Sequence, residues 1–486
     1  MREKKPLPTA TPEQVGIPSS AILQFLDRLE NKKLCMHSFI VLRFGKIAAE
    51  GYWSPFHAHK KHRMYSCTKS FVSVAIGLME EEGLLSLGDQ VTRFFPEKLP
   101  EGGVHPYIAQ MTIRDLLMMA SAHEKTTYKQ IKDDDWVRTF FQAAPSHLPG
   151  TMFFYDTSAT VTLAAIVEKL SGMSLLDYLR PRLLDPIGFS EDAYCLQTPL
   201  GVSHGGSALI CTSRDLAKFA LVCMNKGRFN GEQLIPEEYI LAATSRQIDT
   251  THTLDTFYEA QQGYGYQFWR TSHGGFALRG MGGQLAICLP EDDLLVVTTA
   301  DLQPNPDGTQ IVFDALWDTI YSSLAAHSLP DDEEAYNQLQ DRTSRLSIML
   351  PDGSSHSSKA AEINGNGYRL ADNPMGISQI HFEFNGDEGA LYFENSRGTH
   401  RLGFGLGKTV SQKFPLYGYD SLSAAAWVDS NSLLIYSYII DDYFGTVRTK
   451  VHFGADTLTI VMRKYAEGFL DEYSGIASGD KISEAG

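Results

Sequence analysis

Apolar positions follow two rhythms along this chain. Between residues 11 and 328 they fall mostly at helical spacing, with short β-rich runs near both ends; beyond 347 they alternate in brief runs separated by turns. In "TPEQVGIPSSAILQFLDRLEN" (11–31), Ile22, Phe25, Leu26 and Leu29 share one face behind Ser19 or Ser20 as a cap, which predicts a helix. "HSFIVLRFGKIAAEGYW" (37–53) predicts a hairpin about Gly45-Lys46. Helices are also predicted in 111–122 behind Thr112, in 158–188 with breaks at Gly172 and Pro181, in 211–227 between Ser213 and Gly227, and in 308–327. "GGQLAICLPEDDLLVVTTA" (282–300) predicts two strands joined by its "PEDD" turn.

Strands at both ends with helices between them imply an α+β domain, an antiparallel sheet flanked by helices, over residues 1–328. The stretch 329–346 is polar and acidic and reads as a linker or spanning helix. Residues 347–486 read as a separate β-rich domain, with hairpin turns at Asn385-Gly386 and Arg397-Gly398. No internal repeat of fixed period is present.

One helix start breaks the apolar pattern. In "HRMYSCTKSFVSVAIGLMEEEGLL" (62–85), Phe71, Val72, Ala75, Ile76, Leu78 and Met79 build a buried face, yet Ser66 and Lys69 stand at its mouth. Unpaired N–H groups and the macrodipole at a helix start favour negative charge. Lys69 lies one turn from Ser66 on the same face, and burial beside the positive helix end favours its neutral amine, which can take a serine proton. S-x-x-K alone occurs by chance in many chains, so on the tetrad alone Ser66 as a mere cap with Lys69 snorkelling is the favoured reading. Two other segments bear on that choice. Tyr155 precedes an apolar helix in "PGTMFFYDTSATVTLAAIVEKLSG", where a loop tyrosine can shuttle a proton or simply pack. Glycines cluster in "FALRGMGGQLAICLPEDDLLVV", where they allow close approach to an edge strand or form a plain turn.

Together these segments, with "GLLSLGDQVTRFFP", "MTIRDLLMMASAH" and "GGSALICTSRDLAKFALVCMNKGRFNG", resemble the penicillin-recognising serine hydrolases: class C β-lactamases, DD-peptidases, and related esterases and 6-aminohexanoate-oligomer hydrolases. The resemblance spans roughly residues 11–328. It implies an all-helical subdomain beside the sheet. It makes Ser66 the acylated nucleophile, Lys69 its base and Tyr155 the proton relay of a Y-x-N motif. The backbone N–H groups of Ser66 and Gln284 would form the oxyanion hole. Two departures stand out. Thr157 replaces the asparagine of Y-x-N, and Met281-Gly282-Gly283 replaces K-T-G or H-x-G. The missing cation argues for neutral esters or amides over β-lactams, with Arg279 as a substitute anion anchor or a solvated strand residue. Tyr264 and Trp269 in "GYGYQFW" are candidates to line the substrate cleft, or to pack an edge strand.

Composition narrows the partners. The formal net charge is -16, which disfavours phosphate backbones and anionic membrane surfaces. The N-terminal "MREKKPLPTATPEQVGIP" is unlike a signal sequence, and no run of about 18 apolar residues occurs. The six cysteines form no C-x-x-C pair and read as reduced thiols, so a cytoplasmic location is expected. No cofactor or metal is expected: His57 and His59 have ligand-like spacing but no distant support. "GFGLGKT" (403–409) fails the phosphate-loop pattern at Leu402, and no G-x-S-x-G is present. Cys67 is read as packing. The expectation is therefore a serine esterase or amidase acting on a small-molecule substrate. Its C-terminal domain would serve substrate selection or homodimer contacts. The alternatives are a catalytically retired binding or regulatory module, and a D-amino-acid peptidase or weak β-lactamase.

Overall fold

The computed structural model describes residues 5–253 and 257–482; the first four residues of the charged N-terminal stretch lie outside it. The chain forms two units, one of Met1–Leu302 and Pro306–Ser347, the other of Gln303–Asn305 and Ile348–Gly486.

The first unit contains α1 (Ser19–Asn31), β1 (Met36–Arg43), β2 (Lys46–Tyr52), α2 (Thr68–Glu81), α3 (Thr157–Ser171), α4 (Ser213–Met224), β3 (Trp269–Arg270), β4 (Phe276–Gly280), β5 (Gln284–Leu289), β6 (Leu294–Ala300), α5 (Gly308–Asp318) and α6 (Glu333–Ser344). Its main sheet is antiparallel, in the order β2-β1-β6-β5-β4-β3. The N-terminal hairpin thus joins strands more than two hundred residues away. Phe44 and Gly45 turn it with φ of 51° and 71°, the left-handed pair that suits a two-residue hairpin.

Helices cover both faces of this sheet, which is why its strands read as nearly continuous apolar runs. Phe39, Val41, Leu285, Ile287 and Val296 pack towards α1, α5 and Leu339 of α6. Ile40, Leu42, Ala286, Cys288 and Val297 pack towards the residues of α2, α3 and α4. Phe71 and Phe219 stack at 3.6 Å in that second core. The expected linker 329–346 therefore carries a helix of the first unit. α6 buries Leu339, and Arg342 reaches Glu30 and Asp27 of α1.

Polar caps close several helices but not α1, where Ser19 and Ser20 lie inside the helix after Pro18 and no side chain caps its start. Thr112 and Asp115 form a reciprocal capping box. Thr212, one residue before the expected Ser213, forms another with Asp215 at α4. Asp156 caps α3, and Gly172 ends it with φ 69°.

The second unit is all strand apart from short helical pieces: β7 (Gly367–Leu370), β8 (Gln379–Asn385), β9 (Glu388–Asn395), β10 (Gly398–Leu406), β11 (Val410–Lys413), β12 (Asp420–Trp427), β13 (Ser432–Ile440), β14 (Phe444–Phe453), β15 (Thr457–Tyr465) and β16 (Gly475–Lys481). They run β10-β9-β8-β7-β16-β15-β14-β13-β12-β11, and a parallel pairing of Gly405–Leu406 with Ala424–Ala425 closes the sheet into a barrel. The hairpin loops fall one residue from expectation, at Gly386-Asp387 and Ser396-Arg397. "GFGLGKT" is the end of β10 and the turn after it.

Candidate active site

The segment leading to Ser66 is anchored before α2 begins. His62 and Arg63 pair with Cys211 and Ile210, and Met64 N–H donates to Leu209 O at 2.8 Å. His62 Nδ1 lies 2.8 Å from Arg63 O, which can only accept, so Nδ1 carries the proton. His62 Nε2 then accepts from His37 Nδ1, also at 2.8 Å. Burial lowers both imidazoles, His62 to about 3, so the pair is neutral. Tyr65 adopts φ 45°, a left-handed conformation that costs a non-glycine residue about 1 kcal/mol or more. A 3₁₀ turn over Tyr65–Cys67 then presents Ser66, half-buried, just ahead of α2.

Lys69 is 1% exposed, yet its Nζ has polar company. It lies 3.1 Å from Ser66 Oγ and 3.4 Å from Thr157 Oγ1, and donates to Gly206 O. Its Nζ is 4.9 Å from the centroid of the Tyr155 ring. The structure thus brings Ser66, Lys69, Tyr155 and Thr157 together. Thr157 supplies the lysine with a side-chain oxygen where the motif has asparagine.

Gly206 had not been singled out by sequence reasoning. A Cβ there would come within 2.4 Å of Thr157 Cγ2, and one on Gly205 within 2.7 Å of both Val72 and Ala164. Only glycine lets this backbone pass between the starts of α2 and α3 to reach Lys69. The Gly205-Gly206 doublet was the available signal. His204 beside it lies edge-on to Trp136 and Tyr128. Burial, then Arg63, Lys69 and Lys129, hold its pKa down to about 3, so it stays neutral.

Asp156, between Tyr155 and Thr157, is fully buried. Its carboxyl accepts from Ser158 N at 2.8 Å and Ser121 Oγ at 3.2 Å. Burial raises its pKa to about 6; the bonds from Ser158 and Ser121 oppose the rise, as does Lys69 whenever it is protonated.

Tyr264 and Trp269 do not line a cleft as expected. They are 1% and 5% exposed and pack with Met119, Phe153 and Ala260. Their role is support: Trp269 stacks on Tyr155 at 5.7 Å, and Tyr264 meets it edge-on at 6.5 Å. The Arg279 guanidinium lies over the faces of Trp269 and Phe257, 4.4 and 4.2 Å from their centroids, so it belongs to this aromatic group.

β4 ends against the nucleophile. A Cβ on Gly280 would stand 2.3 Å from Met64 O and 3.2 Å from Ser66 N, so glycine is required there. The turn Met281-Gly282-Gly283 follows, with φ of 80° and 88° at its glycines, and Met281 is half-buried. Gln284 is 0% exposed. No solvent-sized group reaches its N–H, which corrects the expectation that Gln284 completes an oxyanion hole. Among the described residues no group of three His, Cys, Asp or Glu side chains is placed to hold a metal ion.

Comparison with known proteins agrees with this architecture. The Beta-lactamase family model matches residues 35–318, more than half of the chain. The 6-aminohexanoate-dimer hydrolase of Paenarthrobacter ureafaciens is 26% identical over 323 residues, covering 61% of this chain and 81% of the relative. A Bacillus anthracis structure provisionally named a 6-aminohexanoate-dimer hydrolase superposes with a TM-score of 0.53 at 20% identity, over 67% of this chain and 89% of that one. The octameric penicillin-binding protein homologue from Pyrococcus abyssi matches with a TM-score of 0.50 at 15% identity, over 94% of this chain and 99% of its own.

Proposed function

The chain belongs to the beta-lactamase family, and on that premise we propose that it is a serine hydrolase that cleaves an ester or amide through an acyl-enzyme on Ser66. The carrying observation is the buried Lys69 amine, 3.1 Å from the Ser66 hydroxyl. A neutral amine has two N–H donors and one lone pair. Lys69 Nζ donates to Gly206 O and lies 3.4 Å from Thr157 Oγ1, and in the neutral form its lone pair can take the proton of the Ser66 hydroxyl.

Ser66 Oγ attacks the substrate carbonyl carbon as Lys69 takes its proton. The Tyr155 hydroxyl passes a proton to the leaving oxygen or nitrogen as its bond to carbon breaks. Water then attacks the acyl carbon, giving a proton back through the same groups and releasing the acid and Ser66. The negative oxygen formed in each step is held by the N–H of Ser66 and, in place of Gln284, by the N–H of Met281. Gly280, which abuts Ser66 N, puts Met281 next in line on an accessible turn.

The absence of a third-motif lysine or histidine supports neutral substrates. The name of the Paenarthrobacter relative adds 6-aminohexanoate dimer, an amide, to the substrates worth testing. The test is intact-protein mass after treatment with a fluorophosphonate. A single adduct on Ser66, slowed at least about a hundredfold in Lys69→Ala, is the expected result. An unlabelled wild type, under conditions that label a control hydrolase, would leave a binding module as the better reading.

A further inference from the structure

The side chain of Gln284 is buried and uncharged, and its hydrogen bonds tie two pieces of backbone together, the turn before β5 and the end of β6. Its Nε2 donates to Met281 O and to Ala300 O, each at 2.8 Å, and its Oε1 accepts from Ala300 N at 3.1 Å. A primary amide has two N–H donors, and both are used. The ladder between β5 and β6 reaches Leu285 opposite Thr298. Just beyond it, the Gln284 amide takes the N–H and the C=O of Ala300, as a strand residue would. The side chain thus acts as a substitute peptide that extends the sheet to its rim and there grips the turn.

The rest of the turn is held in the same way. Gly282 O accepts from Leu302 N at 3.0 Å, and Gly283 O accepts from Thr298 Oγ1 at 2.9 Å. Every carbonyl from Met281 to Gly283 therefore has a protein donor. Gly280, on the other side of Met281, is paired with Gln284 in the ladder and abuts Ser66 N. Gln284 also accepts the Cys67 thiol on its own carbonyl at 3.3 Å, which joins the clamp to the residue after the nucleophile. Met281 is pinned on both sides by Gln284, through the backbone before it and the side-chain amide after it, and the clamp leaves its N–H unused.

We infer that Gln284 is a positioning residue, whose side-chain amide fixes the Met281 turn so that the Met281 N–H is held at a set distance from the Ser66 N–H. Two glycines at positive φ have no preference of their own to hold such a turn, so the rigidity has to come from outside it. Preorganised donors stabilise an oxyanion because they need not reorient as charge develops. The inference rests on the serine-hydrolase reading above.

The test compares hydrolysis of p-nitrophenyl butyrate with that of its thiono counterpart, in which sulfur replaces the carbonyl oxygen and accepts hydrogen bonds poorly. Gln284→Met keeps most of the volume and removes every bond of the amide. It is expected to lower kcat/KM for the oxygen ester about tenfold or more while changing the thiono rate less than about threefold. Thr298→Val, which frees only Gly283 O, should move the ratio in the same direction by a smaller factor. Should Gln284→Met fail to fold, as judged by its melting curve, Thr298→Val decides the matter. Equal losses on both esters would mean that Gln284 serves only the fold or the serine–lysine pair, and would overturn the inference; so would an unchanged ratio in variants of a wild type that labels at Ser66. A wild type with no Ser66 adduct would instead remove the hydrolase reading and this inference with it.

Discussion

Replacing Thr157 by valine keeps its shape and removes one oxygen that Lys69 can donate to, 3.4 Å away. The lysine loses one acceptor that draws its N–H groups away from Ser66 Oγ, and a bond donated to serine is the wrong polarity for a base. We expect Thr157→Val to slow acylation about tenfold, equivalent to about 1.4 kcal/mol, and Thr157→Asn to retain most of the rate. Fluorophosphonate labelling kinetics measure both. Its neighbour Asp156 gives a stability signature. Its carboxyl is raised from the ordinary 3.8 to about 6 in the fold. The folded protein therefore holds a proton that the unfolded chain has released between those values. The stability this group contributes is complete below pH 3.8 and declines as pH rises through about 6, by about 3 kcal/mol at most. Asp156→Asn keeps an acceptor for Ser158 and does not titrate. Urea unfolding at pH 4.5 and pH 7 should show a smaller change for this variant than for the wild type.

At the scale of elements, the end of β4 against the start of α2 sets the catalytic geometry. Gly280→Ala places a methyl group 2.3 Å from Met64 O, so the strand must withdraw. A cost of about 1–3 kcal/mol in stability, with loss of at least about a hundredfold in labelling rate, is expected from overpacking at this joint. Melting temperature and adduct formation check the two effects separately. The same joint explains what the sequence conveyed. Ser66 and Lys69 are legible because one helical turn dictates their proximity, and the hairpins and caps because their signals are local. Gly206 reaches Lys69 across 137 residues, and nothing near either residue announces the contact. Gln284 was assigned the wrong part of itself: position after two glycines identified it, but only the register of β5 against β4 and β6 decides that its backbone is buried and its side chain free to clamp. Tyr264 and Trp269 read equally as cleft or core from sequence, because an aromatic run beside a site serves either, and burial decides for core.

For the molecule as a whole, the barrel formed by β7–β16 has a hydrophobic core of its own, including Phe382, Leu391, Phe404, Trp427, Ile435, Val447 and Phe453. Domains with a separate core generally fold as units. Residues 348–482 produced alone should unfold in one cooperative transition. A non-cooperative melt would mean that the barrel depends on the remainder of the chain. In the first unit the two cores share the central sheet, whose strands come from both ends of the sequence. The site is then assembled only once residues 36–52 and 269–300 have paired, since β4 and β5 hold the turn beside Ser66.

Cys67 turns that dependence into something that can be timed. Its thiol is fully buried, its pKa is driven well upward by that burial, and its Sγ bonds to Gln284 O, across the joint between α2 and β5. Alkylating reagents need an exposed thiolate, so this cysteine is silent while the joint is closed. Under reagent in excess, its slow modification becomes a clock for the opening of the nucleophile from its sheet, read by mass at a single residue in the resting protein. A reagent that marks Ser66 counts closed molecules; one that marks Cys67 counts open ones.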